Sequence, residues 1–239
     1  MKCGVVVFPG SNCDHDVYHV WKHVLQQEAV FLWHQDDSLQ GCELIVLPGG
    51  FAYGDYLRAG ALAALSPVMG AVKRHAEAGG LVLGICNGFQ VLLETGLLPG
   101  AMRRNENLRF QCLDVHLKTE RTDLPFTGRL APGQVLRLPI AHAEGNYEDS
   151  PARLDALESD GQVVFRYCEP DGRVTPESNP NGAARNIAGI ANAAGNVLGL
   201  MPHPERASEA VLGNTDGLAL FESVVEAGAR HLQSVGAGR

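Results

Sequence analysis

The apolar positions of the first hundred residues follow two alternating patterns. Short unbroken runs, Val5-Val6-Val7-Phe8 and the segments 29–33, 44–47 and 81–85, have the length and continuity of strands buried on both faces. Between them lie stretches of helical periodicity. Segment 14–27 carries Val17, Trp21, Val24 and Leu25 on one side, 67–78 stops at Gly79-Gly80, and 89–94 closes at Gly96. Strands alternating with helices predict parallel pairing through crossover helices.

Beyond about residue 99 the texture changes. Shorter runs at 113–117, 135–140 and 163–167 are separated by loops rich in Pro, Gly and Asn, the signature of antiparallel or mixed pairing. The runs 187–190 and 197–201 flank Ala-Asn-Ala-Ala-Gly-Asn and read as a hairpin, and 216–232 reads as a terminal helix. No repeat, low-complexity tract or linker divides the chain. The expectation is one α/β domain over 1–239, built as three layers: a central mostly parallel sheet, helices on both faces, and a smaller antiparallel or mixed element in the second half.

Composition narrows the chemistry. The 239 residues are 45% hydrophobic and 19% charged, ordinary values for a folded domain. Nineteen Lys and Arg against 27 Asp and Glu give a formal charge of −8, which disfavours a nucleic-acid partner. No apolar run reaches the roughly 18 residues of a membrane span, and the N-terminus breaks at Pro9-Gly10 without an export signal, so a cytoplasmic, reducing location is expected. Six cysteines lie at wide intervals with no Cys-x-x-Cys, against a disulfide framework or a zinc ribbon.

One cysteine stands apart. In Gly84-Ile85-Cys86-Asn87-Gly88 an apolar strand turns sharply into a helix, the cysteine form of a nucleophile elbow. Small flanking residues permit the turn, the helix N-terminus favours a thiolate, and the backbone N–H after the nucleophile points where an oxyanion develops. An inert buried cysteine is the competing reading. A thiol nucleophile needs a base, and His203 in Met201-Pro202-His203-Pro204-Glu205 follows a strand with prolines on both sides. Glu205, two positions on, is expected on the same side, able to orient the imidazole; a rigid surface turn is the alternative. Leu47-Pro48-Gly49-Gly50 is another strand end whose N–H groups can complete an oxyanion hole, or simply a tight turn. His15, His19 and His23 share one helical face without a matching acidic ligand, which favours a solvated face over a metal site.

Taken together, Pro-Gly-Gly, Gly-x-Cys-x-Gly and Pro-His-Pro-Glu, in that order, resemble the class I (triad) glutamine amidotransferases. Within them the chain is similar to small glutaminase subunits of phosphoribosylformylglycinamidine synthases, through Phe8-Pro9-Gly10-Ser11-Asn12-Cys13-Asp14, Gly54-Asp55-Tyr56-Leu57-Arg58-Ala59-Gly60, Pro139-Ile140-Ala141-His142 and Asn179-Pro180-Asn181-Gly182. The resemblance implies Cys86, His203 and Glu205 as catalytic triad, and Gly50, Phe51, Asn87, Gln90 and His142 as contacts to L-glutamine. It also implies that this chain holds neither metal nor cofactor. ATP and magnesium would act on a separate large synthetase subunit that receives the ammonia in purine synthesis, with a small third subunit bridging the two in some members. The segment 54–60 is the candidate docking or ammonia-exit surface. The alternative readings are another cysteine hydrolase on the same scaffold, such as a γ-glutamyl hydrolase, and a catalytically silent scaffold subunit.

Overall fold

The computed structural model describes residues 1–236, with side chains as far as Ala229. Residues 237–239, the end of the expected domain, lie outside it.

The first strand, β1 (Lys2–Val7), leads into α1 (Asp14–His19), which widens into a π turn over Val20–Val24. There follow β2 (Glu28–Trp33), β3 (Leu44–Leu47), α2 (Pro67–Glu77), β4 (Leu81–Ile85) and α3 (Asn87–Glu94). The second half holds β5 (Ala101–Arg103), β6 (Gln111–Thr119), β7 (Val135–His142), β8 (Asn146–Glu148), α4 (Pro151–Ser159), β9 (Val163–Cys168), β10 (Ile187–Ala191), β11 (Val197–Leu200) and α5 (Leu218–Gly236).

Nine strands make one sheet in the order β2-β1-β3-β4-β11-β10-β9-β6-β7. From β2 to β11 every pairing is parallel, and from β11 to β7 every pairing is antiparallel. The antiparallel strands of the second half therefore continue the central sheet, joined to it by the expected hairpin, whose second strand β11 lies beside β4 in parallel. Only β5 and β8 form a separate pair.

All four residues of β3 are fully buried, so helices cover both faces of the parallel half. Trp21 meets Phe221 of α5 edge-on at 6.3 Å, and both rings are solvent-free. On α3, Gly88 is set by contact: a Cβ there would lie 1.9 Å from the Leu47 carbonyl oxygen of β3. Only a glycine lets the helix approach this strand so closely.

Three features escaped the sequence pattern. The expected helix over 14–27 changes geometry at Val20, where Leu25 N–H bonds the Val20 carbonyl at 2.9 Å in an i→i+5 closure. Helix α4 was missed because its apolar residues are too few for a clear stripe, although Ser150 caps it through Arg153 N–H. The strands β5 and β8 are three residues each, too short for alternation to register.

Candidate active site

The parallel strands β1, β3 and β4 all end at one edge of the sheet, and each is followed by a turn that carries chemistry-bearing residues. After β4, Cys86 takes φ 50°, ψ −106°, a conformation that L-residues rarely adopt, and α3 begins at the next residue. This is the strained elbow that the motif predicts. Asn87 opens α3, so its backbone N–H has no acceptor within the helix. After β3, Gly50 adopts φ +143°, and a Cβ there would strike the Asn12 nitrogen at 2.8 Å.

His203 and Glu205 meet as the sequence spacing predicts, by a different backbone route. Pro204 opens a 3₁₀ turn over Pro204–Ala207, and this turn, not an extended segment, brings the side chains together. His203 Nδ1 and Glu205 Oε1 are 2.6 Å apart, with both side chains almost solvent-free. The His203 N–H donates to the Pro139 carbonyl of β7 at 2.8 Å, anchoring the turn to the antiparallel half of the sheet. Burial pulls the imidazole pKa down, but the Glu205 carboxylate and the sulfurs of Cys86 and Cys13 outweigh it and hold His203 well above its ordinary value. The imidazolium is therefore the favoured form beside Cys86. His203 Nε2 has no hydrogen-bond partner among the described residues and remains free for a reacting group.

Cys13, which the sequence reading left among the core cysteines, turns out to be a second thiol at this dyad. Its Sγ accepts from Arg206 Nη2 at 3.1 Å, and a Cβ on Gly49 would sit 2.6 Å from His203 Cε1 and 3.0 Å from Cys13 Sγ. Ligand atoms of Cys13, His203 and Glu205 lie within 4.8 Å of one another. Burial raises the Cys13 thiol pKa, and although Cys13, like Cys86, directly precedes a helix, its φ of −100° is ordinary and it lacks the strained turn that presents Cys86. Cys86 is therefore the nucleophile candidate, and Cys13 packs behind the imidazole. The signal for Cys13 was topological, since β1 ends at the same sheet edge as β3 and β4.

A small cavity of about 50 Å³ opens beside Cys86, lined by Gly50, Phe51, Asp55, Gln90, Ala141, His142, Ala143 and Glu144. The expected contacts Gly50, Phe51, Gln90 and His142 thus converge with Cys86. Their side chains play unequal parts. Gln90 donates to the Glu144 carbonyl at 2.6 Å and accepts from Asn87 Nδ2 at 2.9 Å, so both ends of its amide are engaged with protein. The Phe51 N–H is taken by the Gly10 carbonyl, and its ring lies 6.4 Å from Phe110 at the surface. Asn87 accepts from Ala52 N–H and donates to Asp55 Oδ1, tying the 51–60 loop to the elbow.

Asp55 and Glu144 were not among the expected contacts. In the 51–60 loop Tyr53, Asp55 and Leu57 have positive φ, a backbone no sequence rule predicts for these residues. The loop sends Asp55 inward, while Arg58 pairs in bidentate fashion with Glu94 at 2.6 and 2.5 Å. Of the histidines on the first helix, His15 is mostly exposed beside Asp14, and His19 contacts Glu209 at 2.6 Å.

Residues 1–222 match the family profile described as a CobB/CobQ-like glutamine amidotransferase domain. The phosphoribosylformylglycinamidine synthase subunit PurQ of Gloeobacter violaceus is 60% identical over 225 residues, covering 94% of this chain and 97% of that protein. The protein of the same name from Koribacter versatilis is 58% identical over 230 residues, covering 96% and 100%. The structure of PurLQS from Thermotoga maritima matches with a TM-score of 0.84 at 44% identity, over 94% of this chain and 97% of that one. The glutaminase domain of CTPS from Trypanosoma brucei, 14% identical with a TM-score of 0.59 over 95% of this chain and 94% of that one, shares the fold. A cysteine elbow facing a buried His-Glu pair, on a chain that matches these proteins over nearly all of its length, belongs to the glutamine amidotransferase family, among the PurQ subunits of phosphoribosylformylglycinamidine synthase.

Proposed function

We propose that this chain, acting as one domain, hydrolyses L-glutamine to glutamate and ammonia through Cys86, His203 and Glu205, and that it delivers the ammonia to a separate synthetase subunit. The observation that carries the reading is the meeting of the strained Cys86 elbow with the buried His203–Glu205 pair at one sheet edge.

The Cys86 thiolate attacks the side-chain amide carbon of glutamine. The oxyanion faces the Asn87 backbone N–H at the start of α3 and the turn at Gly50. As the tetrahedral intermediate collapses, the C–N bond breaks and the leaving nitrogen takes the proton of the His203 imidazolium, so that ammonia departs from a γ-glutamyl thioester. The neutral His203 then takes a proton from water, the hydroxide adds to the thioester carbon, and the C–S bond breaks to give glutamate and the starting ion pair. Glu205 orients the ring and offsets its positive charge. No step needs a metal or a cofactor on this chain; ATP and magnesium serve the synthetase, which makes formylglycinamidine ribonucleotide from formylglycinamide ribonucleotide. Such a pair would work in the cytoplasm. No helix among the described residues is long and apolar enough to cross a membrane.

Segment 54–60, within the 51–60 loop, is the candidate docking or ammonia-exit surface. Tyr56 and Leu57 are 74% and 84% exposed at its tip, while Asp55 of the same segment lines the cavity, so a partner seated on the tip bears on the loop that borders the site. Glutamate release by the wild type and by Cys86→Ala, each alone and with the large synthetase, ATP and formylglycinamide ribonucleotide, tests the whole reading. Release that requires Cys86 and rises with the synthetase supports it; release that persists in Cys86→Ala, or none from the wild type in any mixture, overturns it.

A further inference from the structure

Glutamine hydrolysis engages one oxygen of Glu205 and leaves the other idle. Oε1 meets His203 Nδ1 at 2.6 Å, whereas Oε2 is buried with no hydrogen-bond partner among the described residues, on a side chain at 0% exposure. A carboxylate oxygen enclosed without a donor is rare in folded proteins and marks a place for a cation or a proton donor. Cys13, equally buried and equally unused in the reaction, lies on the same side of the imidazole. The ring edge Cε1–Nδ1 and the Cys13 sulfur both press on Gly49, where a Cβ would sit 2.6 and 3.3 Å from the two ring atoms and 3.0 Å from Sγ.

Sulfur, imidazole nitrogen and carboxylate oxygen, each within 4.8 Å of the others, make a donor set that suits zinc. Zinc bonds of about 2.0–2.3 Å place tetrahedral ligand atoms about 3–4 Å apart, so small side-chain rotations close the set. An entry path exists. The partly exposed Arg206 donates to Cys13 Sγ at 3.1 Å and to Asp16 Oδ2 at 3.2 Å, so its guanidinium can swing away from the thiol while Asp16 holds it.

We propose that Cys13 Sγ, His203 Nδ1 and the Glu205 carboxylate form an inhibitory site for zinc. The ion displaces the Cys13 thiol proton and the Nδ1 proton of the His203 imidazolium, and both protons pass to solvent. A thiolate and a carboxylate then neutralise the two charges of the metal. The one proton left on the ring, on Nε2, is no longer an imidazolium proton. His203 can neither give it to a leaving nitrogen nor accept another from water, so turnover stops. The inhibition rests on the glutaminase reading above; the metal site itself does not.

Two measurements on the full chain and its complex test this. In the metal-free full chain carrying Cys86→Ala, which removes the catalytic thiol, one equivalent of Co2+ gives a sulfur-to-cobalt charge-transfer band that Zn2+ bleaches. Adding Cys13→Ser to that variant abolishes the band, and adding Glu205→Gln in its place weakens cobalt binding; circular dichroism confirms that each variant is folded. In the complex with the synthetase, Zn2+ suppresses glutamate release by wild type. Cys13→Ser, whose hydroxyl can keep the bonds to Asn12 and Arg206, turns over glutamine and needs about 10-fold or more Zn2+ for half-inhibition. No band in Cys86→Ala, or a band that survives Cys13→Ser, overturns the site. Equal Zn2+ sensitivity of wild type and Cys13→Ser overturns the inhibition. A wild-type complex that releases no glutamate without zinc overturns the glutaminase reading, while the cobalt band still decides the site.

Discussion

Replacing Glu205 by Gln removes one charge and almost no volume from the most enclosed part of the site. In the wild type the imidazole and carboxylate of His203 and Glu205 lie 2.6 Å apart at 2% and 0% side-chain exposure, so water screens the pair very little. A close opposite charge moves a pKa by about 1–3 units, equivalent to about 1.4–4 kcal/mol between protonation states. With Gln at 205 the burial that already opposes the imidazolium is no longer outweighed by a carboxylate, and His203 shifts toward its neutral form. The proton that the leaving nitrogen needs is then scarcer, and kcat for glutamate release falls about 10- to 1000-fold at neutral pH. Glutamate release by the assembled enzyme across pH 5–9, beside circular dichroism to confirm folding, measures this. A Glu205→Gln enzyme whose kcat stays within about threefold of wild type, with an unshifted pH profile, refutes the assignment of Glu205 as the charge that sustains His203.

Other consequences follow from the same geometry. The raised His203 value means that the pair's contribution to stability is fully present below about pH 6.5 and is lost as pH rises through the folded-state value, so the Tm gap between wild type and Glu205→Gln is widest on the acid side and narrows in alkali. Gly88→Ala drives a methyl group into the Leu47 carbonyl, which costs about 1–3 kcal/mol and lowers the Tm by several degrees in calorimetry; an unchanged Tm refutes the tight α3–β3 packing. Because Cys86 sits at φ 50°, Cys86→Gly melts above Cys86→Ala by about 2–4 °C, since glycine relieves about 1 kcal/mol of strain that alanine keeps.

What the sequence determined on its own was local. Unbroken apolar runs marked the buried parallel strands, Gly84 and Gly88 around Cys86 marked the elbow, and His203-Pro204-Glu205 placed an imidazole beside a carboxylate. Each depends on neighbours a few residues apart, where steric rules act directly on the chain. The tertiary structure decided which distant groups share that site. Residues 13, 55, 86, 142, 144 and 203 meet because β1, β3 and β4 end at one edge of the sheet while β7 and the turn after β11 close over it. Cys13 looked like any core cysteine until β1 was laid beside β3, and Asp55 entered the cavity only through a left-handed loop held by Asn87. His142, which lines the cavity, is held through its Nδ1 by Asn105, 37 positions away, in a hydrogen bond that spacing along the chain does not encode. Local sterics are written in short motifs; burial, charge and proton position at the site are sums over groups that only folding brings together.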